Sequence, residues 1–525
     1  MKKYNIRGIL CLLLLSVGMV ACGINGSYND FPYLEYDITQ IRQAYDSGDL
    51  SIEALTRAYL ERMERIDRNG PALNAMIRIN PDALQIAKEL DNEMREGRLR
   101  GPLHGIPVVL KDNIDTHDKM PCTAGSRALR NSYPLQDSYV AEQLRKAGAV
   151  ILGKSNLSEW ANFRGQLSTS GWSGLGGLTK NPYVLDRNPC GSSSGSAVAV
   201  SANLSILAIG TETNGSIVCP SHNNGIVGIK PTVGLISRSG IIPISHTMDS
   251  AGPMARTVRD AAICLGALTG MDPEDASMSV PDRKAYRDYT AFLKEDGLEG
   301  KRLGWFTASR GSHFKVDALM EEAVRDMREQ GAEIIEIERI FQENIGASSF
   351  EVMLYEYKDG LNRYFASLGE KAAITDLTGL IAFNISDSVE LLFFDQIYLE
   401  MAAEKGGLDS ETYKTALKNM LASAGEKGID RIMKTYDLDA IIAPTGGPAW
   451  KTDLINGDHF QLSSSSPAAR AGYPNITVPM GFVGNLPVGI SFFGRAWNEP
   501  LLLEIAYAYE QATRHRKAPA FIVSD

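Results

Sequence analysis

The sequence contains little cysteine, with six residues of this type among 525. That number is too small for a disulfide-rich scaffold, in which covalent cross-links compensate for a small hydrophobic core. No Cys-x-x-Cys pair occurs, and none of the seven histidines stands at metal-ligand spacing. We therefore predict no zinc site, no other metal and no cofactor.

Basic residues are also outnumbered by acidic ones. Lys and Arg total 53 and Asp and Glu total 63, which gives a formal net charge of −10. A nucleic-acid-binding surface usually makes a domain basic, so this balance argues against a nucleic-acid partner. With 44% hydrophobic residues, a chain of this length can bury a large core without disulfide support.

Long apolar runs are absent, and the longest candidate lies near the N-terminus. Ile9–Ala21 is an uncharged, mostly apolar run of thirteen residues that follows Lys2, Lys3 and Arg7. A membrane-spanning helix needs about 20 apolar residues, so this run is short for a span. A basic start followed by a short apolar segment is typical of a secretory signal peptide, which we assign to residues 1–21.

The end of this segment, Met19-Val20-Ala21-Cys22-Gly23, resembles a bacterial lipoprotein signal, in which the cysteine becomes the acylated first residue of the mature chain. The resemblance implies lipidation at Cys22 and contact with the membrane through this lipid anchor alone. It also implies an exported protein that faces the periplasm or the cell surface. A secreted soluble protein and an uncleaved anchor are the alternatives.

The rest of the chain has the pattern of an α/β protein. Residues 22–36 are rich in turn formers and are expected to form a tether. From Ser51 onward, apolar residues recur at three- and four-residue steps, which indicates a helix. Ile106–Leu110 is a short apolar run without polar alternation, typical of a buried strand. Helix and strand patterns then alternate, which indicates an α/β layered domain, and residues 271–440 are expected to be more polar and helical.

Glycine and serine are concentrated in the middle of the chain. Fourteen of the 49 glycines, together with fifteen serines, lie within residues 165–260. The region is not a flexible linker, because apolar runs such as Ala197–Val200, Ile206–Ile209 and Ile226–Ile229 interrupt it. We expect packed structure whose backbone makes tight turns and close approaches.

Two short motifs in or beside this region suggest other chemistries. Gly148–Ser155 matches a phosphate-binding P-loop pattern, but its four middle residues are a predicted strand where the motif requires a loop. Gly191–Gly195 matches the G-x-S-x-G nucleophile elbow, which would make Ser193 the nucleophile. The preceding segment Asp186–Cys190 contains Pro189 and does not suit the central strand that such an elbow needs. We disfavour both interpretations.

Three residues that are far apart in the sequence indicate a different kind of site. Lys111 directly follows the predicted strand, Ser192 lies in the Gly/Ser-rich loop, and Ser216 lies in a turn after Leu204–Ile209. Taken singly, a lysine at a strand end is usually a solvated charge, and a serine in a glycine turn is usually a turn former. Each residue alone is therefore weak evidence for a site, and the stronger evidence is the sequence segment in which each residue stands.

These contexts resemble the amidase signature family, and within it the bacterial peptide amidases. The matching segments are Gly105–Asn113, Cys190–Lys230, Gly252–Arg256, Ala443–Thr445, Ala471–Pro474 and Pro487–Gly489. The resemblance implies an α/β three-layer fold in which a central mixed β-sheet is flanked by helices. Because the matching segments span both ends of the chain, it also implies a single domain over residues 37–525.

The resemblance also implies roles for individual residues. Ser216 is the nucleophile, Ser192 is a bridging serine in a cis peptide bond, and Lys111 is the base. A serine hydroxyl is a weak nucleophile that needs an adjacent base, and lysine acts as a base only when burial keeps it neutral. Ser193 is a supporting residue of this triad. The oxyanion is held by the backbone N–H groups of Thr213, Asn214, Gly215 and Ser216.

The implied activity is that of an amidohydrolase, which converts a carboxamide to a carboxylate and ammonia through an acyl-enzyme. Asn214 and Ser194 replace glycines of the family pattern, and Val218 replaces an arginine found in some branches. Without that arginine we expect neutral substrates such as the C-terminal amides of peptides, so the partner is a small-molecule or peptide amide. Two alternatives stay open: an amidotransferase subunit, and a lipoprotein that binds amides or peptides without turnover.

The remaining cysteines and histidines are expected to have structural roles. Cys219, three residues after Ser216, is expected to be a small buried apolar side chain. His104, His222 and His246 lie near the matching segments and are expected in supporting or turn positions. A Ser-His-Asp triad is therefore the weaker scheme for activating a nucleophile.

Overall fold

The computed structural model describes residues 28–341, 345–370 and 372–524. The expected signal peptide, Cys22 and the first residues of the expected tether lie outside the described residues. The chain divides into two units, Met1–Leu34 and Glu35–Asp525. In the first unit, residues 28–34 form turns and irregular structure. The second unit contains the helices and strands given below.

Helices and strands alternate along the second unit. The α-helices are α1 (Ile38–Asp46), α2 (Ile52–Arg62), α3 (Ala83–Arg95), α4 (Tyr139–Lys146), α5 (Ser194–Ser201), α6 (Val218–Asn223), α7 (Val258–Leu268), α8 (Phe314–Glu329), α9 (Gly346–Ser367), α10 (Leu377–Ser386), α11 (Ile397–Ala403), α12 (Glu411–Ala424), α13 (Arg431–Thr435), α14 (Ser466–Ala471) and α15 (Glu499–Thr513). The strands are β1 (Met76–Ile79), β2 (Pro107–Lys111), β3 (Val150–Ser155), β4 (Trp172–Ser173), β5 (Gly177–Leu178), β6 (Leu207–Glu212), β7 (Val227–Lys230), β8 (Ser250–Ala255), β9 (Arg302–Phe306), β10 (Glu333–Ile337), β11 (Ala440–Pro444), β12 (Asn475–Val483) and β13 (Leu486–Phe493). Within the described ranges, no helix has both the length and the apolar composition needed to cross a membrane.

Eleven of the strands form one mixed sheet. Their order is β1-β3-β2-β6-β8-β7-β12-β13-β11-β9-β10. The neighbours β3, β2 and β6 run parallel, as do β11, β9 and β10. The other neighbours run antiparallel. Helices flank this sheet, so the expected three-layer α/β fold is confirmed.

Local sequence signals explain several of these elements. The Ser51 side chain accepts a hydrogen bond from the Ala54 N–H at 3.1 Å and caps α2, which contributes about 1 kcal/mol. Leu55 and Tyr59 are buried on one face of α2, as their spacing in the sequence predicts. Every residue of β2 is buried, which is typical of a parallel strand covered on both faces.

The helix α5 is buried on all sides because it contains only small and apolar residues. A Cβ atom added at Gly195 would stand 2.2 Å from the carbonyl oxygen of Ala75 and 2.5 Å from that of Asn156. Only glycine permits so close an approach of the backbone. The tight packing of α5 holds Ser192 and Ser193, which precede it, inside the molecule.

Residues 271–440 contain the helices α8 to α13 and also two strands that were not predicted from the sequence. The strands β9 and β10 pair in parallel at one edge of the sheet. In β10, Glu333 and Glu336 are exposed, Ile334 and Ile335 between them are only partly buried, and Ile337 is buried. Charged residues of this kind are common on edge strands, where they prevent pairing with other chains, and they weaken the apolar signal of the strand.

Candidate active site

The centre of the site lies at the carboxyl ends of two neighbouring parallel strands. Leu110 of β2 pairs with Ile209 of β6, so Lys111 and Thr211 follow at the same edge of the sheet. Open α/β sheets usually hold their ligands at this edge. The loop before α5 brings Ser192 to the same place, where its hydroxyl contacts Lys111.

Lys111 is completely buried and has three polar contacts. Its Nζ lies 2.7 Å from Ser192 Oγ, 2.9 Å from Thr211 Oγ1 and 3.1 Å from the Thr211 carbonyl oxygen. Burial lowers the pKa of Lys111 from 10.5 to about 7, while the charges of Asp249 and Glu212 oppose part of that shift. A neutral amine has two N–H donors and one lone pair. In the neutral form, donation to the two acceptors of Thr211 leaves the lone pair to accept from Ser192 Oγ, whereas in the ammonium form Nζ donates to all three oxygens.

The loop that carries Ser192 has an unusual backbone. The peptide bond between Gly191 and Ser192 is cis, as the resemblance implies. Cys190 has a φ of +58°, in the left-handed region that residues other than glycine rarely adopt. The Ser192 side chain is fully buried, and its carbonyl oxygen accepts a hydrogen bond from the Ser158 N–H at 3.1 Å.

Ser193 ties this loop to two neighbouring segments. Its Oγ donates to the Thr211 carbonyl oxygen at 3.1 Å and accepts from the Thr211 N–H at 3.2 Å. Its own N–H donates to the carbonyl oxygen of Ser216 at 3.1 Å. Because the Ser193 hydroxyl is fully buried and engaged on β6, the geometry argues against the nucleophile-elbow interpretation.

Ser216 lies in the turn between β6 and α6 and is partly exposed. The turn requires a φ of +90° at Gly215, a conformation that glycine adopts without strain. In the described part of the chain, the Ser216 hydroxyl has no hydrogen-bond partner. A substrate can therefore reach this hydroxyl, whereas Lys111 and Ser192 are closed off from solvent.

A buried carboxylate fixes the conformation of the turn. Glu212 Oε1 accepts a hydrogen bond from the Gly215 N–H at 2.7 Å. Glu212 Oε2 accepts from the N–H groups of Ile217 and Val218 at 2.8 and 3.0 Å. Three charge-assisted bonds to one carboxylate hold both sides of Ser216 in place. Val218 itself is fully buried, so its side chain does not face a substrate.

The contact with Glu212 corrects one expectation about the oxyanion hole. The Gly215 N–H already donates to the Glu212 carboxylate, so it is not available to an oxyanion. The N–H groups of Thr213, Asn214 and Ser216 have no acceptor among residues 28–341, 345–370 and 372–524. Three of the four expected donors therefore remain.

The side chains of the turn are also anchored. Thr213 Oγ1 donates to Asp249 Oδ1 at 2.6 Å, and Asp249 Oδ2 accepts from the backbone N–H groups of Ile244 and Ser245. Burial raises the pKa of Asp249 above its usual value. The exposed Asn214 accepts a hydrogen bond from Ser465 Oγ at 2.8 Å. These contacts restrain the residues that precede Ser216.

A cavity of about 570 Å³ lies beside this turn. Its wall includes Thr211 and Thr213, and several carboxylates also line it, namely Asp115, Asp249, Asp275, Glu274 and Glu356. The Tyr364 hydroxyl donates to Asp115 at 2.9 Å, and burial raises the pKa of Asp115 to about 6. The cavity is thus large enough for a small substrate and carries more acidic than basic groups.

The expectation for Cys219 is wrong, because its sulfur is bonded to that of Cys190. The two residues are 29 positions apart in the sequence, but their Cα atoms are 6.0 Å apart because the Ser192 loop and the Ser216 turn meet. Neither residue belongs to a Cys-x-x-Cys pair, so no local pattern indicated the bond. Cys122 and Cys264 are buried and unpaired.

The three histidines near the matching segments do not activate a serine. His104 Nε2 lies 3.0 Å from the Leu90 carbonyl oxygen, and His246 Nε2 lies 3.2 Å from Glu356 Oε1. His222 is fully buried, and burial lowers its pKa to about 3. In the part of the chain that the structure describes, none of these histidines is hydrogen-bonded to either serine.

Three polar residues of the site were not singled out from the sequence. Thr211 and Glu212 stand inside the matching segment directly before the turn, and a carboxylate can accept charge-assisted hydrogen bonds from nearby backbone N–H groups. This signal could have identified Glu212. Asp249 stands 33 residues after Ser216 in a separate loop, and no spacing rule connects the two.

Comparison with known proteins identifies relatives of the whole chain. A family model described as Amidase matches residues 54–503. The "Probable amidase" of Arabidopsis thaliana is 41% identical over 524 residues, which cover 97% of this chain and 96% of the relative. A glutamyl-tRNA(Gln) amidotransferase subunit of Thermoanaerobacter pseudethanolicus is 33% identical over 499 residues, which cover 92% of this chain and 98% of the relative.

A solved structure shares both the fold and much of the sequence. The peptide amidase in complex with the competitive inhibitor chymostatin is 50% identical to this chain, with a TM-score of 0.91. The match covers 93% of this chain and 100% of that one. The chain therefore belongs to the amidase signature family and is an amide-hydrolysing enzyme.

Proposed function

We propose that this enzyme hydrolyses the C-terminal amides of peptides, or other neutral amides, through an acyl-enzyme formed on Ser216. The observation that carries the proposal is the 2.7 Å contact between Ser192 Oγ and a buried Lys111 whose pKa is lowered to about 7. A lysine that is neutral near physiological pH accepts a proton, so this contact gives Ser192 an adjacent base.

The first half of the reaction forms the acyl-enzyme. Ser216 Oγ attacks the amide carbon while Ser192 takes the Ser216 proton and passes its own proton to Lys111 Nζ. The N–H groups of Thr213, Asn214 and Ser216 stabilise the oxyanion, and loss of one such donor costs about 10²–10³ in kcat in other enzymes. The proton then returns from Lys111 through Ser192 to the leaving nitrogen, the C–N bond breaks and ammonia departs.

The second half regenerates the enzyme. Water attacks the acyl carbon and gives a proton to the same relay, from Ser192 to Lys111. When the tetrahedral intermediate collapses, the bond to Ser216 Oγ breaks and the relay returns the proton to that oxygen. The products are the carboxylate and the free serine, so protons balance over one cycle apart from the ionisation of the product acid.

The position of the cavity favours a substrate in which most of the atoms belong to the acyl group. The leaving group of a primary amide is ammonia, so the remainder of the substrate must occupy the space beside the turn. A volume of about 570 Å³ lies within the range of about 300–1,000 Å³ that small-molecule sites occupy. The 50% identity to a peptide amidase supports a peptide as the acyl group.

The similarity to a glutamyl-tRNA(Gln) amidotransferase favours one alternative, in which the released ammonia is passed to a partner enzyme. That similarity, at 33% identity, is lower than the 50% identity to the peptide amidase. A hydrolase releases ammonia into solution from purified protein without any partner chain. The two functions therefore separate in an assay of the protein alone.

The test incubates the purified protein with a short neutral peptide amide, the same peptide ending in a free carboxylate, and free glutamine. Ammonia and the peptide acid are quantified, by a coupled enzymatic assay and by mass spectrometry. We expect equal amounts of both products from the peptide amide and none from Ser216→Ala. Release from glutamine alone would favour the amidotransferase-like function, and binding without turnover would favour the binding protein.

We also propose that the protein is exported and anchored by lipid at Cys22. The Cys190–Cys219 disulfide supports export, since disulfides persist mainly in oxidising compartments. Labelling of cells with a radioactive fatty acid, followed by fractionation, tests this proposal. We expect label in the membrane fraction for the natural chain and loss of both label and membrane association for Cys22→Ala. An unlabelled protein in the cytoplasmic fraction would contradict it.

A further inference from the structure

A covalent bond joins the two segments that carry the two serines. Cys190 stands two residues before Ser192, and Cys219 stands three residues after Ser216. The chain enclosed between the cysteines contains α5, β6 and the Ser216 turn. The disulfide therefore closes a covalent ring that contains both serines of the proposed proton transfer from Ser216 to Ser192.

The Ser192 side of the ring depends on external support. The left-handed conformation of Cys190 is rare for a residue with a side chain. The Cys190 N–H donates to Asn188 Oδ1 at 2.8 Å, and its carbonyl oxygen accepts from Ser194 Oγ at 2.6 Å. These bonds are local to the loop. The disulfide extends the support to the segment that follows Ser216.

The Ser216 side has few direct links to the Ser192 loop. Cys219 lies in the first turn of the short helix α6, and its N–H donates to the Gly215 carbonyl oxygen at 2.8 Å. Among the described residues, one hydrogen bond joins the segments 190–194 and 215–219 directly, from the Ser193 N–H to the Ser216 carbonyl oxygen. That bond and the disulfide are the direct links between the two segments, and they add to the Ser193 bonds with Thr211 and to the bond from Asn224 Nδ2 to the Pro189 carbonyl oxygen.

We propose that the Cys190–Cys219 disulfide is a positioning element of this active site, which holds the Ser192 loop against the Ser216 turn so that full amidase activity requires oxidised cysteines. The proposal rests on the proposed function of Ser216. Small displacements of a nucleophile from its proton acceptor reduce rates strongly, because proton transfer needs hydrogen-bond distance. Hydrolysis of amides is then confined to an oxidising compartment.

The structure predicts which kinetic constant changes. Lys111 contacts Ser192 and Thr211 directly and is buried independently of the two cysteines, so we expect its pKa to stay low when the disulfide is broken. Neither cysteine lines the 570 Å³ cavity, so substrate affinity is preserved. Reduction therefore lowers kcat while KM and the pH dependence stay nearly constant. A general loss of folding would change all three.

Cys219 is the more accessible end of the bond. Cys219 is partly exposed and lines a narrow crevice with His222 and Gly446, whereas Cys190 is fully buried. A dithiol reductant attacks the Cys219 sulfur, forms a mixed disulfide and releases the Cys190 thiolate. The second thiol of the reductant then releases Cys219, so two electrons and two protons pass to the protein and the reductant leaves as its own disulfide. A disulfide oxidant reverses both steps.

The test measures steady-state ammonia release from a peptide amide by the purified full chain before and after treatment with dithiothreitol. Thiols are counted by alkylation and mass spectrometry, and circular dichroism reports folding. We expect kcat to fall at least tenfold, KM to stay within twofold, and activity to return after oxidation with oxidised glutathione. An unchanged kcat in protein shown to be reduced would overturn the proposal.

Variants separate the disulfide from other effects of the reductant. We expect the double variant Cys190→Ser/Cys219→Ser to have the low kcat of reduced protein and no response to dithiothreitol. The matched control Cys264→Ser, at a buried unpaired cysteine, keeps both full activity and the response. A double variant as active as the natural chain overturns the proposal. If the double variant does not fold, reversible reduction of the natural chain decides the question.

The same experiment distinguishes this inference from the proposed function. If the oxidised natural chain releases no ammonia from any amide, the proposed function fails and the inference fails with it. If the oxidised chain is active and the reduced chain is equally active, only the inference fails.

Discussion

The two ends of the site, which we propose to be the base end and the nucleophile end, have opposite physical properties. At the base end, Lys111 and Ser192 are fully buried, and the Lys111 amine contacts three protein oxygens. At the nucleophile end, Asn214 is exposed and Ser216 is partly exposed, with a hydroxyl that has no partner in the described part of the chain. A lysine can serve as a base near neutral pH only where water is excluded, while a nucleophile must be accessible to its substrate.

Under the proposed mechanism, the difference explains why a bridging serine is useful in this fold. A single serine cannot be both buried enough to contact a lysine whose pKa is lowered by burial and exposed enough to contact a peptide. Ser192 lies between the two environments, in contact with Lys111 and one residue from Ser193, whose N–H contacts the Ser216 carbonyl oxygen. Variants at either end should therefore have different signatures, which the following predictions use.

The largest effect is expected at the base end, from Lys111→Met. This change keeps the length of the side chain and removes the base, so we expect kcat for ammonia release to fall by about 10³-fold or more. Lys111→Arg should be equally inactive, because an arginine does not lose its proton in proteins. Lys180→Met, at a lysine outside the site, is the control and should keep its activity. A Lys111→Arg enzyme with near-normal activity would contradict a base role.

The next effect is expected at the nucleophile end, from Glu212→Gln. The amide of glutamine accepts through one oxygen only, so the N–H groups of Gly215, Ile217 and Val218 lose part of their anchor. We expect kcat to fall by about 10²-fold, comparable to the loss of an oxyanion donor. Because Glu212 does not line the cavity, we expect KM to change little, and KM and kcat are therefore measured separately. A change in KM alone would show that the carboxylate acts on binding instead.

A smaller effect is expected from Thr211→Val, which removes one acceptor of Lys111 and preserves the shape of the side chain. One hydrogen bond contributes about 1 kcal/mol, so we expect kcat to fall several-fold to about tenfold. An acceptor stabilises the ammonium form more than the neutral amine, so its loss lowers the pKa of Lys111 further. The acid limb of the kcat/KM profile should therefore move to lower pH. A shift to higher pH would contradict this account of the base end.

The smallest effect is expected from Asp249→Asn, which acts on both ends. The Asp249 charge raises the pKa of Lys111, so its removal should lower that pKa. Lys111 must be neutral to act, and its neutral fraction grows as the pH rises through about 7 in the natural enzyme. We expect the acid limb of kcat/KM to move to lower pH by less than about one unit, with a few-fold loss of rate. A full pH profile of ammonia release checks both.

The base end was largely predictable from the sequence, because residues with a local signature build it. The apolar run Ile106–Leu110 predicted a buried strand, and β2 is indeed buried throughout, with Lys111 as its last residue. The all-buried helix α5 follows from its small and apolar residues. The resemblance to the family then assigned roles that neither composition nor periodicity could supply.

The nucleophile end was predictable only in part. The sequence predicted a turn at Gly215. It did not predict that the Glu212 carboxylate accepts a hydrogen bond from the Gly215 N–H, so one of the four predicted oxyanion donors was wrong. The Cys190–Cys219 bond was missed because its partners are brought together by tertiary packing and not by spacing. The strand β10 was missed because its exposed glutamates obscure the apolar pattern.

The central claim is that a buried, neutral Lys111 activates Ser216 through Ser192. Its most direct test is the rate at which a serine-directed phosphonate labels the protein as a function of pH, with the labelled residue located by peptide mapping. We predict a single adduct on Ser216, a rate that rises with pH through about 7, and loss of labelling in Lys111→Met. An adduct on another residue, or equally fast labelling of Lys111→Met, would contradict the claim.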